Sequence, residues 1–207
     1  CFEIVKMKRQ IKKQWDKIAS VGRYRRKLGI DLAEYVSGTN LKILDLGSGG
    51  RRGLDKFGKV IYSDISLEML KQGNLSSGVN LDASVLPFKD GSFDVVTSIA
   101  MFHHLPTKKD RLNFLKEIKR VLKPRGICIV KFGFIVGVVD ERIKVKFGDV
   151  DRFYYSMSLD ELKALVEKVF ANYSVKIGEY SARKVKYSKN HVESQSKFGN
   201  YELVLRK

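Results

Sequence analysis

Cysteine is scarce in this 207-residue chain: only Cys1 and Cys128 occur. Two thiols build neither a disulfide framework nor a zinc knot. That excludes the small stapled folds of secreted proteins and points to a reducing, cytoplasmic compartment. Long apolar runs are also missing. A spanning helix needs about 18 or more apolar residues in succession, whereas the stretch from Phe132 to Val139 is short and broken by Gly133 and Gly137. No membrane span is expected. The first residues are charged and lack the apolar centre of a secretion signal; the chain opens on Cys1, and Met7 is a candidate initiator. No internal repeat and no low-complexity tract occur. Acidic residues are few beside the basic ones, 23 against 40, for a net charge of +17. Balanced ion-pair networks cannot absorb such an excess. It favours a polyanionic partner, nucleic acid ahead of an anionic membrane.

What is present reads as one globular domain. An apolar fraction of 43% rules out a chain too polar to fold. From about residue 11 to 36 the pattern is helical and basic, with Ile11, Trp15, Ile18 and Ala19 on one stripe and a second helix at 30–35. Leu41 to Leu46 and Val60 to Ser63 are short apolar runs closed by glycine or acid, as buried parallel strands are. Helices are predicted at 66–72, 108–122 and 158–169, the last with Ser158 as N-cap and Glu161 at the capping-box position. Further strands fall at 79–81, 93–99, 126–132, 173–178 and 201–205, the final two antiparallel. The stretch between 132 and 158 reads as irregular. Strands alternating with helices predict a doubly wound α/β sheet, mostly parallel, with its ligand beyond the strands' carboxyl ends. Within one domain, 1–36 forms a basic helical lid, 41–133 a cofactor-binding half and 134–207 a substrate-side half.

Three motifs carry chemistry. The first is Asp45-Leu46-Gly47-Ser48-Gly49-Gly50, where a buried strand runs into a glycine turn that a ligand can approach closely. The second is Asp64, ending the next strand, where a carboxylate can accept hydrogen bonds from both hydroxyls of a ribose. The third is Asp82-Ala83, followed by Leu86-Pro87-Phe88 and Asp90-Gly91-Ser92-Phe93-Asp94. Each has an ordinary structural reading alone: a tight turn, a helix cap, a loop.

In this order, over about 90 residues, the motifs resemble the class I S-adenosylmethionine-dependent methyltransferases, whose Rossmann-like sheet has seven strands with helices on both faces. The resemblance implies S-adenosyl-L-methionine as cofactor. The glycine loop (Asp45, Gly47, Ser48, Gly49) would hold its methionine part, and Asp64 with Ile65 its ribose. Asp82, Ala83 and Met69 would lie at its adenine, and Ser98 would join the wall. One departure stands out: the family's third loop glycine is replaced by Arg51.

A narrower resemblance is carried by Trp15-Asp16-Lys17-Ile18-Ala19, Arg23-Tyr24, Ser98-Ile99-Ala100-Met101-Phe102-His103-His104, Arg152-Phe153-Tyr154-Tyr155 and Asn200-Tyr201-Glu202-Leu203-Val204. Together these look like the methyltransferases that esterify carboxymethyluridine at the tRNA wobble position. The likeness implies tRNA, through its anticodon region, as substrate. It also implies a small zinc-binding activator protein that adds a strand beside the sheet edge, covering apolar surface near residues 93–101. Arg23 and Arg152 are the candidates to hold carboxylate or phosphate, Tyr24 and Tyr154 to meet the base. His103 would border cofactor or substrate, and His104 would pack under the sheet edge. Adjacent histidines on one loop are poor chelators, so no metal is expected. Two other readings stay open: a methyltransferase of a small metabolite or lipid, and a non-catalytic RNA-binding subunit of this fold.

Overall fold

The computed structural model describes residues 2–21, 31–49, 53–75, 78–147, 149–189 and 192–207. Arg23, Tyr24 and Arg51 lie outside them. Among the described residues are strands β1 (Leu41–Leu46), β2 (Gly58–Asp64), β3 (Val79–Asn80), β4 (Phe93–Ile99), β5 (Leu122–Ile135), β6 (Glu141–Phe147), β7 (Val150–Ser156), β8 (Ser174–Lys189) and β9 (Val192–Arg206). The α-helices are α1 (Phe2–Ser20), α2 (Leu67–Gln72), α3 (Lys108–Val121) and α4 (Leu159–Phe170). All strands join one sheet in the order β3-β2-β1-β4-β5-β9-β8-β6-β7. The first five run parallel, and β9 enters antiparallel between β5 and β8.

The seven strands from β3 to β8 make the expected doubly wound sheet. The hairpin β6–β7 extends it at one edge, attached to β8 through Lys144 opposite Ser188 and Val145 opposite Tyr187. This hairpin occupies the stretch expected to be irregular. Its pattern was legible: Ile143 and Val145 are buried while Arg142, Lys144 and Lys146 are exposed, the two-residue alternation of a strand with one wet face. β4 lies in the middle of the sheet, between β1 and β5, and the sheet ends at β3 and β7.

Burial covers both faces. Below, α3 and α4 pack Phe114, Leu115, Ile118, Leu162 and Val166 onto β1, β4, β5 and β9. Above, Ile43, Val60, Tyr62, Val95 and Ile129 are covered by Leu32, Leu54 and Phe57 from two single 3-10 turns, Leu32–Glu34 and Leu54–Phe57. The predicted second helix is thus a one-turn 3-10 segment. The helices begin where side-chain oxygens take otherwise unbonded backbone donors: Ser66 accepts from Met69, Thr107 from Asp110 and Ser158 from Glu161. The capping box at α4 is half formed. The Ser158 N–H donates to Asp140 instead, while the Glu161 carboxylate receives the Tyr155 hydroxyl at 2.7 Å. No helix among the described residues is long and apolar enough to cross a membrane.

Candidate active site

At the carboxyl ends of β1 and β2 the backbone turns sharply. Gly47 (φ 66°) and Gly49 (φ 57°) are both in the left-handed region, where a side chain is strained. Gly47 is also closed to substitution by contact, since a Cβ there would lie 2.4 Å from Cγ of Met101. Ser48 ties the loop to β2, its N–H donating to the Ser63 carbonyl at 2.9 Å. The Asp64 carboxylate is set by two backbone donors, Gly49 N–H at 3.0 Å and Ser66 N–H at 2.9 Å. It is thereby aimed before any ligand arrives.

Above this turn lies a pocket enclosing about 730 Å³ of unfilled space, its mouth included. Gly47, Gly49, Asp64 and Ile65 line one wall, with Leu81, Asp82 and Ala83 beside them. The segment leaving β4 supplies the facing wall with Ala100, Met101 and His104. Ala100 sits at φ 60°, a left-handed conformation costly for a residue with a Cβ and typical of chain held in place for a site.

Helix α1 forms the roof, contributing Lys8, Ile11 and Trp15 to the pocket. The Trp15-Asp16-Lys17-Ile18-Ala19 run explains how it is held. Trp15 faces the cavity, Asp16 accepts the Ser66 hydroxyl at 2.6 Å, and Ile18 and Ala19 are buried against Met69 and Val150. Lys8 closes the other end. Its ammonium lies 2.7 Å from both Asp82 and Asp110 and 2.9 Å from the Ser84 hydroxyl. Burial opposes the charge of Asp82, but hydrogen bonds from Lys8 and Ser84 outweigh it and hold the carboxyl below its usual range. Burial likewise works against the Lys8 ammonium, and the two aspartates reverse it, leaving its pKa raised.

The remaining expected site residues divide. Asp45 is fully buried under the loop and accepts the Thr97 hydroxyl at 2.7 Å. Met69 packs beneath α1. Ser98 is also fully buried. The alternation of β4 sends it to the same face as Val96, towards α3, while Ile99 reaches the pocket. His104, expected to pack, lines the pocket, and its Nδ1 lies 2.6 Å from the Phe153 carbonyl. His103 sits behind it, accepting the Gly133 N–H at Nδ1 and stacked on Tyr154 at 4.2 Å. The exchange arises because Phe102–His104 is a 3-10 turn, in which neighbouring side chains point about 120° apart. Tyr154 is 1% exposed and Arg152 is 7% exposed, the latter 5.7 Å from the centre of the Trp15 ring. Neither opens onto solvent: Arg152 backs the roof at Trp15, and Tyr154 packs with Ile143 and Val145. Lys8 had no signal beyond its place in a basic helix, because its partners are far away in sequence.

Residues 44–130 match the family described as a methyltransferase domain. Among curated proteins, the chain is 35% identical over 132 residues to the ubiquinone/menaquinone biosynthesis C-methyltransferase UbiE of Methylococcus capsulatus, covering 55% of this chain and 51% of that one. It is 49% identical over 45 residues to the "Probable tRNA methyltransferase 9B" of Homo sapiens, covering 22% of this chain and 10% of the human protein. The chain spans about half or less of the curated relatives it matches. Among solved structures, a SAM-dependent methyltransferase from Methanosarcina mazei superposes with a TM-score of 0.61 at 18% identity, over 88% of this chain and 99% of that one. Residues 44–130 are thus similar to a methyltransferase domain, and the chain has the class I methyltransferase fold.

Proposed function

We propose that this chain is an S-adenosylmethionine-dependent methyltransferase whose acceptor is RNA, the carboxylate of carboxymethyluridine at the tRNA wobble position. The observation that carries the reading is a separation of charge. The pocket wall holds two carboxylates, Asp64 and Asp82, against one ammonium, Lys8. The helix roofing it turns Lys6, Arg9, Lys13 and Lys17 outward to solvent, in a chain of net charge +17. An acidic interior suits a cofactor with a cationic sulfonium, and a basic exterior suits a polyanion that remains outside. The short match to the human "Probable tRNA methyltransferase 9B" is in keeping with tRNA as the substrate class.

The residues present fit the cofactor. The Gly47 and Gly49 backbone leaves room at its methionine end, Asp64 is oriented for ribose hydroxyls, and Leu81 and Ala83 flank the position of the base. When bound, the cofactor supplies an electrophilic methyl on sulfur. A carboxylate acceptor is already nucleophilic, so the chain needs no strong base. Its contribution is alignment and exclusion of water under α1. Trp15 and His104 stand where the acceptor would be held, with Arg152 behind Trp15. Arg23 belongs to the proposal as a carboxylate or phosphate contact. The resemblance adds a small zinc-binding activator, for which the sheet offers β3 or β7 as an edge.

A second reading, methylation of a small metabolite or lipid, is favoured by the longer match to UbiE. The deciding experiment incubates the chain, with and without co-expressed activator, with cofactor and tRNA from a strain lacking the modification, then measures nucleosides by mass spectrometry. The methyl ester of carboxymethyluridine is expected. Cofactor binding by calorimetry with no tRNA product, alongside methylation of a quinone precursor, would establish the second reading. Loss of cofactor binding in a folded chain would instead leave a non-catalytic RNA-binding subunit.

A further inference from the structure

A second cavity opens between α1 and the β6–β7 hairpin, enclosing about 450 Å³ with its mouth. Its lining is Met7, Gln10, Ile11, Gln14, Lys144 and Phe153. Ile11 also lines the first pocket, so the two are separated by one side chain of the roof. The composition is unlike the first pocket: a thioether, an isoleucine, an aromatic ring, two amides and a lysine. Gln14 is fixed, because its Oε1 accepts the Phe153 N–H at 3.2 Å. That leaves the amide NH2 as the donating end.

Both rims are cationic. On the strand side, Arg142 and Lys144 project from the exposed face of β6, two residues and thus about 6.6 Å apart along the strand. Arg142 leans across towards α1, its Nη1 3.8 Å from the sulfur of Met7. On the helix side, Lys6, Gln10, Lys13 and Lys17 recur every three or four residues, which places them on one stripe beside Gln14. All four are exposed.

We infer that this groove is a binding site for single-stranded RNA, holding the nucleotides next to the methyl acceptor. The inference rests on the RNA reading above and deepens it. The Phe153 ring in the lining offers a stacking surface to a base, which any base can use. Amides offer donors and acceptors to base edges. The paired rims follow a phosphate backbone. Ile11 lines both the groove and the cofactor pocket, so a strand lying in the groove would bring its next nucleotide close to Trp15.

The test measures binding of a labelled single-stranded RNA oligomer and of a tRNA transcript by fluorescence anisotropy across a salt series. It compares the wild-type chain, the double variant Arg142→Glu/Lys144→Glu, and the control Lys59→Glu, a reversal of an exposed lysine on β2 remote from the groove. Cofactor affinity by calorimetry reports folding of each. The expected result is a loss of about tenfold or more for the double variant, and a salt slope smaller by about 2. The control and all cofactor affinities should stay near wild type. Equal RNA binding by wild type and double variant would overturn the groove while leaving the RNA reading intact. No RNA binding by wild type at low salt would remove the RNA reading and the groove together. A parallel arm uses phosphatidylserine vesicles: if the double variant loses vesicle binding but keeps RNA binding, the groove serves a membrane and the inference fails.

Discussion

The two walls of the active site are built in different ways. The floor is assembled from neighbours in sequence: Gly49 and Ser66 both bond Asp64, 15 and 2 residues away. The roof is assembled from distant parts. Lys8 reaches Asp82 across 74 residues, and Gln14 reaches Phe153 across 139. The floor's geometry is a property of backbone turns, with φ values fixed by glycine; the roof's geometry depends on side chains holding a helix that could otherwise leave. A floor of this kind should fail all at once, and the roof should fail by degrees.

The largest effect is expected where the floor has no slack. Gly47→Val places a branched side chain at φ 66° and into Met101. Backbone strain of about 1–2 kcal/mol and overpacking of about 1–3 kcal/mol combine. Chemical denaturation should show a loss of several kcal/mol, and cofactor binding should vanish. Next is Asp64→Ala, which removes the acceptor for two backbone donors and the proposed ribose contact. Cofactor affinity by calorimetry should fall by about 1.5–3 kcal/mol, the range for a hydrogen bond to a charged group. Unchanged affinity in a folded variant would show that the floor is scaffold only.

Lys8→Met should act on the roof alone. It leaves Asp110, only 6% exposed at its side chain, without its ammonium, so limited proteolysis should cut α1 faster while the sheet's unfolding midpoint moves little. The pH dependence follows from the directions of the shifts. Asp82, lowered in the fold, stabilises the latch above its unfolded value near about 3.9 and loses that effect as pH falls through the lower folded value. Lys8, raised in the fold, contributes fully below its unfolded value of about 10.4 and loses that contribution as pH rises through its higher folded value. Protection of α1 should therefore be flat from about pH 5 to 9. A step near neutrality would mean that other groups close the roof. The smallest effect is that of Ala100→Gly. Relief of a left-handed alanine should raise stability by about 1 kcal/mol or less, the gain being reduced by glycine's greater freedom when unfolded.

This division also explains what could be read without coordinates. β1, β2 and β4 are apolar runs with clear ends, and the acids and glycines that follow them are local signals, so Gly47, Gly49, Asp64, Asp82 and Ala83 were legible as one wall. Met69 and Ser98 were placed with them by likeness alone, and strand alternation and the packing of Ile18 send both elsewhere. The basic helix was legible as a helix, but its task as a roof depends on Lys8 and Asp16, whose partners no spacing identifies. The β6–β7 hairpin, in a stretch that reads as irregular, carries its own local signal, Ile143 and Val145 alternating with three basic residues. Which histidine faces the pocket depends on the hand and pitch of a three-residue turn, a matter settled by packing around Phe102.

The position of β9 bears on how the protein is made. This strand is the last of the described strands in chain order, yet it fills the gap between β5 and β8. Until residues up to Arg206 have emerged, β5 keeps an unpaired edge on a hydrophobic sheet, and the β6–β7–β8 unit has no strand pairing with the parallel strands. An exposed edge of that kind invites pairing with other nascent chains. Synthesis stalled before β9 would thus yield a parallel half-sheet with the glycine-loop floor in place and an open, aggregation-prone flank.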